Sequence, residues 1–183
     1  MLSLLVAALV ATSPPQPLPS TELPGLPLRW GMSSAEVAKS LQDFSWIGGR
    51  PDENGNGMAA GRAEVAGVPA MVMCQFGKDH LATLIIVFEK GNPKTLKARF
   101  STVSRALRSK LGAPKTKRDK PTPRTGTQDP RPPIRFEQWK VHGSEITHTL
   151  GDDNGTLVHS LLASDRRRPD QGEPSPDYES QGD

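Results

Sequence analysis

The strongest constraint on the fold is an apolar stripe in the middle of the chain. Apolar side chains recur there at steps of four and three residues, at Leu96, Phe100, Val103, Leu107 and Leu111. This spacing places them on one side of an α-helix. Asn92 can cap the helix, Pro93 suits its first turn, and Gly112 can end it. The sequence therefore predicts a long amphipathic helix that needs a second apolar layer to pack against.

A shorter helix is predicted near the start of the chain, within the stretch "LPLRWGMSSAEVAKSL". Ser33 can serve as its N-cap and Glu36 as the third residue of a capping box, so that the helix covers about 34–41. Trp30 precedes it, followed by Gly31, which permits a close turn. We expect Trp30 to be buried, either folded back on this helix as a staple-like anchor or as ordinary core filling.

Strand-like runs follow each helix. They cover 63–68, 70–76 and 81–89 after the first, and 135–141, 144–151 and 156–163 after the second. The run "LATLIIVF" is apolar on both faces, which is typical of a central strand. The order helix, three strands, helix, three strands predicts an α+β fold of two αβββ halves, which form an antiparallel sheet with the helices packed on one face.

Composition divides the chain into four segments. A run of about ten apolar residues from Leu2 to Ala11 is shorter than the roughly 20 needed to span a bilayer, and is typical of an export signal. The predicted organisation is a signal peptide at 1–13, a Pro-rich mobile N-terminus at 14–27, a folded domain at 28–164 that contains a basic Pro-rich loop at 113–133, and a disordered tail at 165–183.

The net charge of +3 does not by itself indicate a nucleic-acid partner. The loop 113–133 holds six Lys or Arg against two Asp, whereas the tail 165–183 holds three Arg against six acids. Recognition of single strands or bases usually adds stacking aromatic residues, and this loop has none. We expect no nucleic-acid partner, and keep polyanion binding by the basic helix and loop as an alternative.

The loop "DENGNG" matches the opening of an EF-hand calcium loop, with candidate oxygen ligands on Asp52, Asn54 and Asn56. The twelfth position of such a loop should be Glu, but here it is Ala63. Asn and Gly are also common in turns for conformational reasons. The pattern favours a plain turn over a calcium site.

His148 and His159 lie on either side of the turn "DDNG", which predicts a hairpin. A two-residue turn places Leu150 opposite His159, and a four-residue loop places His148 opposite His159; both put the histidines on one face. Such a pair could bind zinc or copper, but only His142 offers a third ligand at the same strand parity. The sequence favours core packing and leaves a metal site as an alternative.

No motif in the sequence indicates catalysis. Cys74 lies in "MVMCQF", where apolar neighbours raise the pKa of a thiol and oppose its activation. There is no nucleophile elbow, phosphate loop or paired-carboxylate spacing. We therefore expect a protein that is not an enzyme and that needs no cofactor.

Two helix motifs carry a resemblance. "WGMSSAEVAKSL" resembles the "G-[MT]-[ST]-x-x-x-V" helix start, and "VSRALRSKLGAP" the "V-x-x-x-L-G-x-P" helix end, of the SmpA/OmlA-like lipoproteins of the outer-membrane barrel-assembly machinery. A tandem of such helix-plus-sheet units is similar to the beta-lactamase-inhibitor protein (BLIP-like) fold. The resemblance implies a noncatalytic protein-binding module.

These observations lead to one functional expectation. We expect an exported protein-binding module of the bacterial envelope, periplasmic or secreted, which acts as an assembly factor, scaffold or inhibitor-like protein. Its partner would be an envelope or secreted protein, and without a lipobox cysteine it would have no stable membrane anchor. One alternative is a metal-dependent envelope factor or enzyme that uses the His148 and His159 face. The other is a protein that binds polyanions through the basic helix and loop.

Overall fold

The computed structural model describes residues 19–118, 135–153 and 156–167. Two helices and eight strands lie in these ranges, in the order α1 (Ser34–Ala38), β1 (Gln42–Ile47), β2 (Gly57–Val65), β3 (Val68–Gly77), β4 (His80–Phe88), α2 (Pro93–Leu111), β5 (Thr116–Arg118), β6 (Arg135–Val141), β7 (Ser144–Asp153) and β8 (Thr156–Asp165). Within the described ranges, no helix has the length and apolar character needed to cross a membrane.

The strands form one antiparallel sheet in the order β1-β2-β3-β4-β8-β7-β6-β5. The last strands of the two runs, β4 and β8, pair at its centre, while β1 and β5 form its edges. This confirms the predicted α+β class and the antiparallel sheet. The grouping into two αβββ halves is not confirmed, because four strands follow each helix.

The two additional strands lack the sequence signals of ordinary strands. β1 follows α1 almost at once, and its pairing with β2 shifts register between Gln42 and Ser45, with Asp43 at a φ of 52°. β5 has only three residues, all polar, and lies within the predicted basic loop. β5 has no apolar residue, and the apolar alternation in β1 is short, limited to Phe44 and Trp46 on either side of Ser45.

One side of the sheet is buried. The inward side chains of β3 include Val72 and Cys74, and they form a core cluster with Ile86 of β4. Val37 of α1 and Leu107 of α2 belong to the same cluster, so both helices cover the same side. The predicted packing of helices on one face thus agrees with the burial pattern.

The helix ends follow the predicted chemistry. Ser33 and Glu36 form the capping box of α1, although that helix ends at Ala38 and is therefore shorter than predicted. The Asn92 side chain accepts a hydrogen bond from the backbone N–H of Thr95, and Gly112 is the C-cap of α2 at a φ of 79°. The predicted apolar stripe is buried over its first four positions, whereas Leu111 is half-buried.

Trp30 is fully buried, as expected, and connects distant parts of the chain. Its indole Nε1 donates a 2.7 Å hydrogen bond to Oγ of Ser144, at the start of β7. Gly31 has a φ of 85°, and its backbone N–H donates to the carbonyl of Leu81. The ring therefore belongs to the central core, which contains residues from both ends of the domain.

Three further predicted boundaries are wrong. The strand predicted at 63–68 contains the turn between β2 and β3, because β2 ends at Val65 and β3 begins at Val68. Residues 19–27 were expected to be mobile, but Leu23 and Leu26 are buried in the core cluster and Thr21 is fully buried. Burial of the apolar Leu23 and Leu26 side chains stabilises this segment, although its Pro-rich composition is typical of a mobile chain. The predicted tail also begins too early, because β8 extends to Asp165. The signal peptide, positions 14–18, most of the basic loop and the rest of the tail lie outside the described residues.

Candidate functional site

A buried histidine pair lies beneath α2. The hairpin register places Leu150 opposite His159, which is the two-residue-turn alternative. The Nε2 atoms of His148 and His159 are 2.7 Å apart, and both residues are essentially inaccessible. Phe100 stacks on the His148 ring at 4.1 Å between centroids, and Phe88 stacks on His159 at 3.8 Å. The pair thus lies between aromatic rings, in agreement with the predicted core packing.

A carboxylate adjoins this pair. Glu137 of β6 is only 2% exposed; it accepts a 2.5 Å hydrogen bond from the Ser104 hydroxyl and pairs with the Arg108 guanidinium. Its Oε2 is 3.9 Å from Nδ1 of His148. Burial alone would raise the pKa of Glu137, but the polar contacts from His148, Ser104 and Arg108 outweigh it and lower the pKa to about 2. Glu137 is therefore ionised at neutral pH.

Burial keeps the two histidines neutral. It lowers the pKa of His148, although Glu137 opposes the shift, and it lowers the pKa of His159 to about 2, with the charges of His148 and Arg99 acting in the same direction. One Nε2 must donate to the other, and neither Nδ1 atom has a hydrogen-bond partner. Protonation of either ring would place a desolvated charge in the core, so it would destabilise the folded state.

The structure does not bring the three candidate histidine ligands together. His142 lies in the exposed turn between β6 and β7, whereas the other two histidines are buried. In the part of the chain that the structure describes, no group of three or more His, Cys, Asp or Glu side chains is arranged to hold a metal ion. One Nε2 donates its hydrogen to the lone pair of the other, so neither Nε2 atom is available to a metal ion in this arrangement.

The loop that resembles the start of an EF-hand forms a tight turn, as the sequence predicts. Oδ1 of Asp52 accepts hydrogen bonds from the backbone N–H groups of Asn54 and Asn56, at 2.9 and 2.8 Å. Oδ2 accepts from the Asn56 amide, whose Oδ1 in turn accepts from the backbone of Lys78. The hydrogen bonds from Asn56 are the main reason that the pKa of Asp52 is lowered. The side-chain oxygens of Asp52 and Asn56 therefore accept hydrogen bonds from the protein and stabilise the turn.

Cys74 is fully buried, and burial raises the pKa of its thiol to about 12. The thiolate that nucleophilic chemistry needs is therefore disfavoured. This agrees with the expectation from its apolar sequence neighbours.

A polar cleft opens above Glu137, between α2 and strands β5 and β6. It has a volume of about 500 Å³ and is lined by Phe100, Ser101, Ser104, Arg105, Arg108, Lys117, Arg135 and Glu137. Sequence reasoning missed Glu137 and Ser104 as members of this site. Their inward orientation follows from residue spacing. Glu137 is two residues from Trp139 and shares the inward face of β6, and Ser104 lies one helical turn beyond Phe100 on the buried side of α2.

The other side of the sheet carries apolar side chains that no described helix covers. Met71, Met73, Ile85, Val87 and Leu162 form what we term the open-face patch. Cross-strand pairing links Met71 to Val87, Met73 to Ile85, and Ile85 to Leu162, so the patch is continuous over β3, β4 and β8. Met71 is 47% exposed and Leu162 is 44% exposed.

No family model, curated protein or solved structure matches the chain.

Proposed function

We propose that this chain is an exported, noncatalytic protein-binding module of the bacterial cell envelope, and that it binds its partner through the open-face patch. The observation that carries this proposal is the exposure of Met71 and Leu162 at the centre of the sheet. Contiguous exposed apolar side chains on a folded protein commonly mark an interaction surface.

The surroundings of the patch support a protein partner. Thr83, Ser160 and Ser164 lie on the same side of β4 and β8, next to the apolar side chains in the pairing register. An apolar centre with a polar rim is the usual anatomy of a protein interface, and methionine is enriched at such centres. Methionine also adapts its shape to a partner, because its side chain is unbranched and polarizable.

Neither of the described helices covers this surface. Both helices lie on the opposite side of the sheet, because Val37 and Leu107 pack into the same buried cluster. In our proposal the chain consists of two helix-plus-sheet halves, joined at β4 and β8, and the patch lies across this junction. The resemblance of the two helix motifs to SmpA/OmlA-like and BLIP-like proteins points to the same class of function.

The apolar run from Leu2 to Ala11 supports the export part of the proposal. Cell fractionation, with mass spectrometry of the mature N-terminus, tests it. We expect a protein cleaved near residue 13 in the periplasm or the medium. An intact N-terminus on a cytoplasmic protein would contradict export.

Proximity labelling in the native envelope tests the binding surface. The informative variant combines Met71→Lys with Leu162→Lys, and the matched control is Ala98→Lys on the exposed side of α2. Both variants should fold, since they change exposed positions. We expect the patch variant to lose a labelled partner that the control retains. If both variants label the same proteins to the same extent as the unmodified chain, the patch is not the binding surface.

A further inference from the structure

The cleft between α2, β5 and β6 contains more positive than negative charge. Its lining includes the cationic side chains of Arg105, Arg108, Lys117 and Arg135, and one carboxylate, Glu137. The four cations come from three different elements and converge on one cleft. Like charges so placed repel one another unless an anion lies between them.

The carboxylate of Glu137 is already paired with groups of the protein itself. It is 2% exposed, and its oxygens contact the Ser104 hydroxyl and the Arg108 guanidinium. Its charge therefore balances Arg108 at the floor of the cleft. The Ser101 hydroxyl is also engaged, since it donates to the backbone carbonyl of Lys97. The floor is thus fixed by internal hydrogen bonds.

Two arginines lack such a counter-charge. Among the described residues, no carboxylate lies within salt-bridge distance of Arg105 or Arg135. Arg105 is exposed at the mouth of the cleft. The Arg135 guanidinium lies 5.8 Å from the centre of the Phe100 ring, and this cation–π contact orients it. Phe100 is itself held by its stacking on His148.

We propose that this cleft binds a compact multivalent oxyanion, either a phosphate monoester or a diphosphate. The planar guanidinium groups of Arg105 and Arg135 match the geometry of phosphate oxygens and donate paired hydrogen bonds. A volume of about 500 Å³ is in the range of small-molecule sites. The cleft lies on the helix side of the sheet, so this inference does not depend on the binding function of the open-face patch.

Calorimetric titration of the full chain at constant ionic strength tests this site. The probes are inorganic pyrophosphate, inorganic phosphate and a simple alkyl phosphate. The variants are Arg105→Gln and Arg135→Gln, and the matched control is Lys97→Gln, which removes the same charge from an exposed position of α2 outside the cleft. A preference for pyrophosphate indicates a diphosphate ligand, and a preference for the alkyl phosphate indicates a monoester.

We expect saturable binding that each cleft variant weakens about tenfold, the usual effect of losing one charge-assisted hydrogen-bonding group. The Lys97→Gln control should bind like the unmodified chain. The proposal is overturned if no probe binds at millimolar concentration, or if Lys97→Gln weakens binding as much as Arg105→Gln does. The second result would show a general attraction of anions to a basic surface.

Discussion

The buried histidine pair predicts that mild acid destabilises the protein. His159 has a pKa of about 2 in the folded chain, against an ordinary value of 6.5 that applies when the chain is unfolded. Between these values the unfolded state binds a proton that the folded state excludes. Stability is therefore greatest above pH 6.5 and falls as the pH decreases. His148 shifts in the same direction and adds to the loss.

The size of the effect follows from proton linkage. Below the unfolded pKa, a histidine that stays neutral in the folded state costs about 1.4 kcal/mol for each pH unit. Between about pH 7.5 and about pH 5, His159 alone should lower the free energy of unfolding by about 2 kcal/mol. This is a large part of a typical total stability of about 5–15 kcal/mol. The carboxylate of Glu137 contributes its own loss only at lower pH, because its ordinary pKa is 4.5.

Urea unfolding at several pH values in this range measures the effect. The variant His159→Gln removes one titrating group from the core, so its free energy of unfolding should depend less steeply on pH than that of the unmodified chain. The control His142→Gln makes the same change at an exposed position in the β6–β7 turn, outside the core.

Two results would refute the reasoning. One is a free energy of unfolding that stays constant or increases as the pH falls from about 7.5 to about 5, since a buried neutral histidine requires a decrease. The other is an unchanged pH dependence in His159→Gln, which would assign the titration to a different group.

Three further predictions concern buried side chains, two on the free energy of unfolding and one on thiol reactivity. Leu107→Ala should lower the free energy of unfolding by about 2–5 kcal/mol because Leu107 is fully buried, whereas Lys97→Gln should change it by no more than about 0.5 kcal/mol; urea unfolding compares the two. Ser144→Ala should cost about 1–3 kcal/mol, because it leaves the buried Trp30 indole N–H without its acceptor, and combining it with Trp30→Phe should cost less than the sum of the single changes, as a double-mutant cycle would measure. Cys74 should not react with a thiol reagent at neutral pH until urea unfolds the protein, and rapid labelling of the native chain would contradict its burial.

Elements with strong periodicity could be predicted from the sequence. The stripe from Leu96 to Leu107 and the caps at Asn92 and Gly112 define α2 almost to the residue. The strands β6, β7 and β8 could be predicted from their runs of strand-favouring residues and from the turn "DDNG" between the last two. β1 was missed because its signal is weak and its pairing is irregular. The burial of Leu23 and Leu26 depends on distant parts of the core, which local composition does not reveal.

The site could be predicted only in part. Strand parity placed His148 and His159 on one face, and the turn "DDNG" gave the alternative registers, one of which is observed. The cleft required knowledge of how α2 lies on the sheet, because Arg105 and Arg135 are far apart in the sequence. The open-face patch likewise depends on the pairing of β4 with β8, which joins strands more than 70 residues apart.

The irregular edges of the sheet have a consequence for self-association. An exposed edge strand offers unpaired backbone groups onto which another chain can add, and long flat edges lead to aggregation. Here β1 is distorted at Asp43, which also forms an ion pair with Arg62, and β5 has only three residues. Neither edge is a good template for a ninth strand. The molecule can therefore keep an apolar sheet face in contact with solvent without a ready route to fibrous polymers.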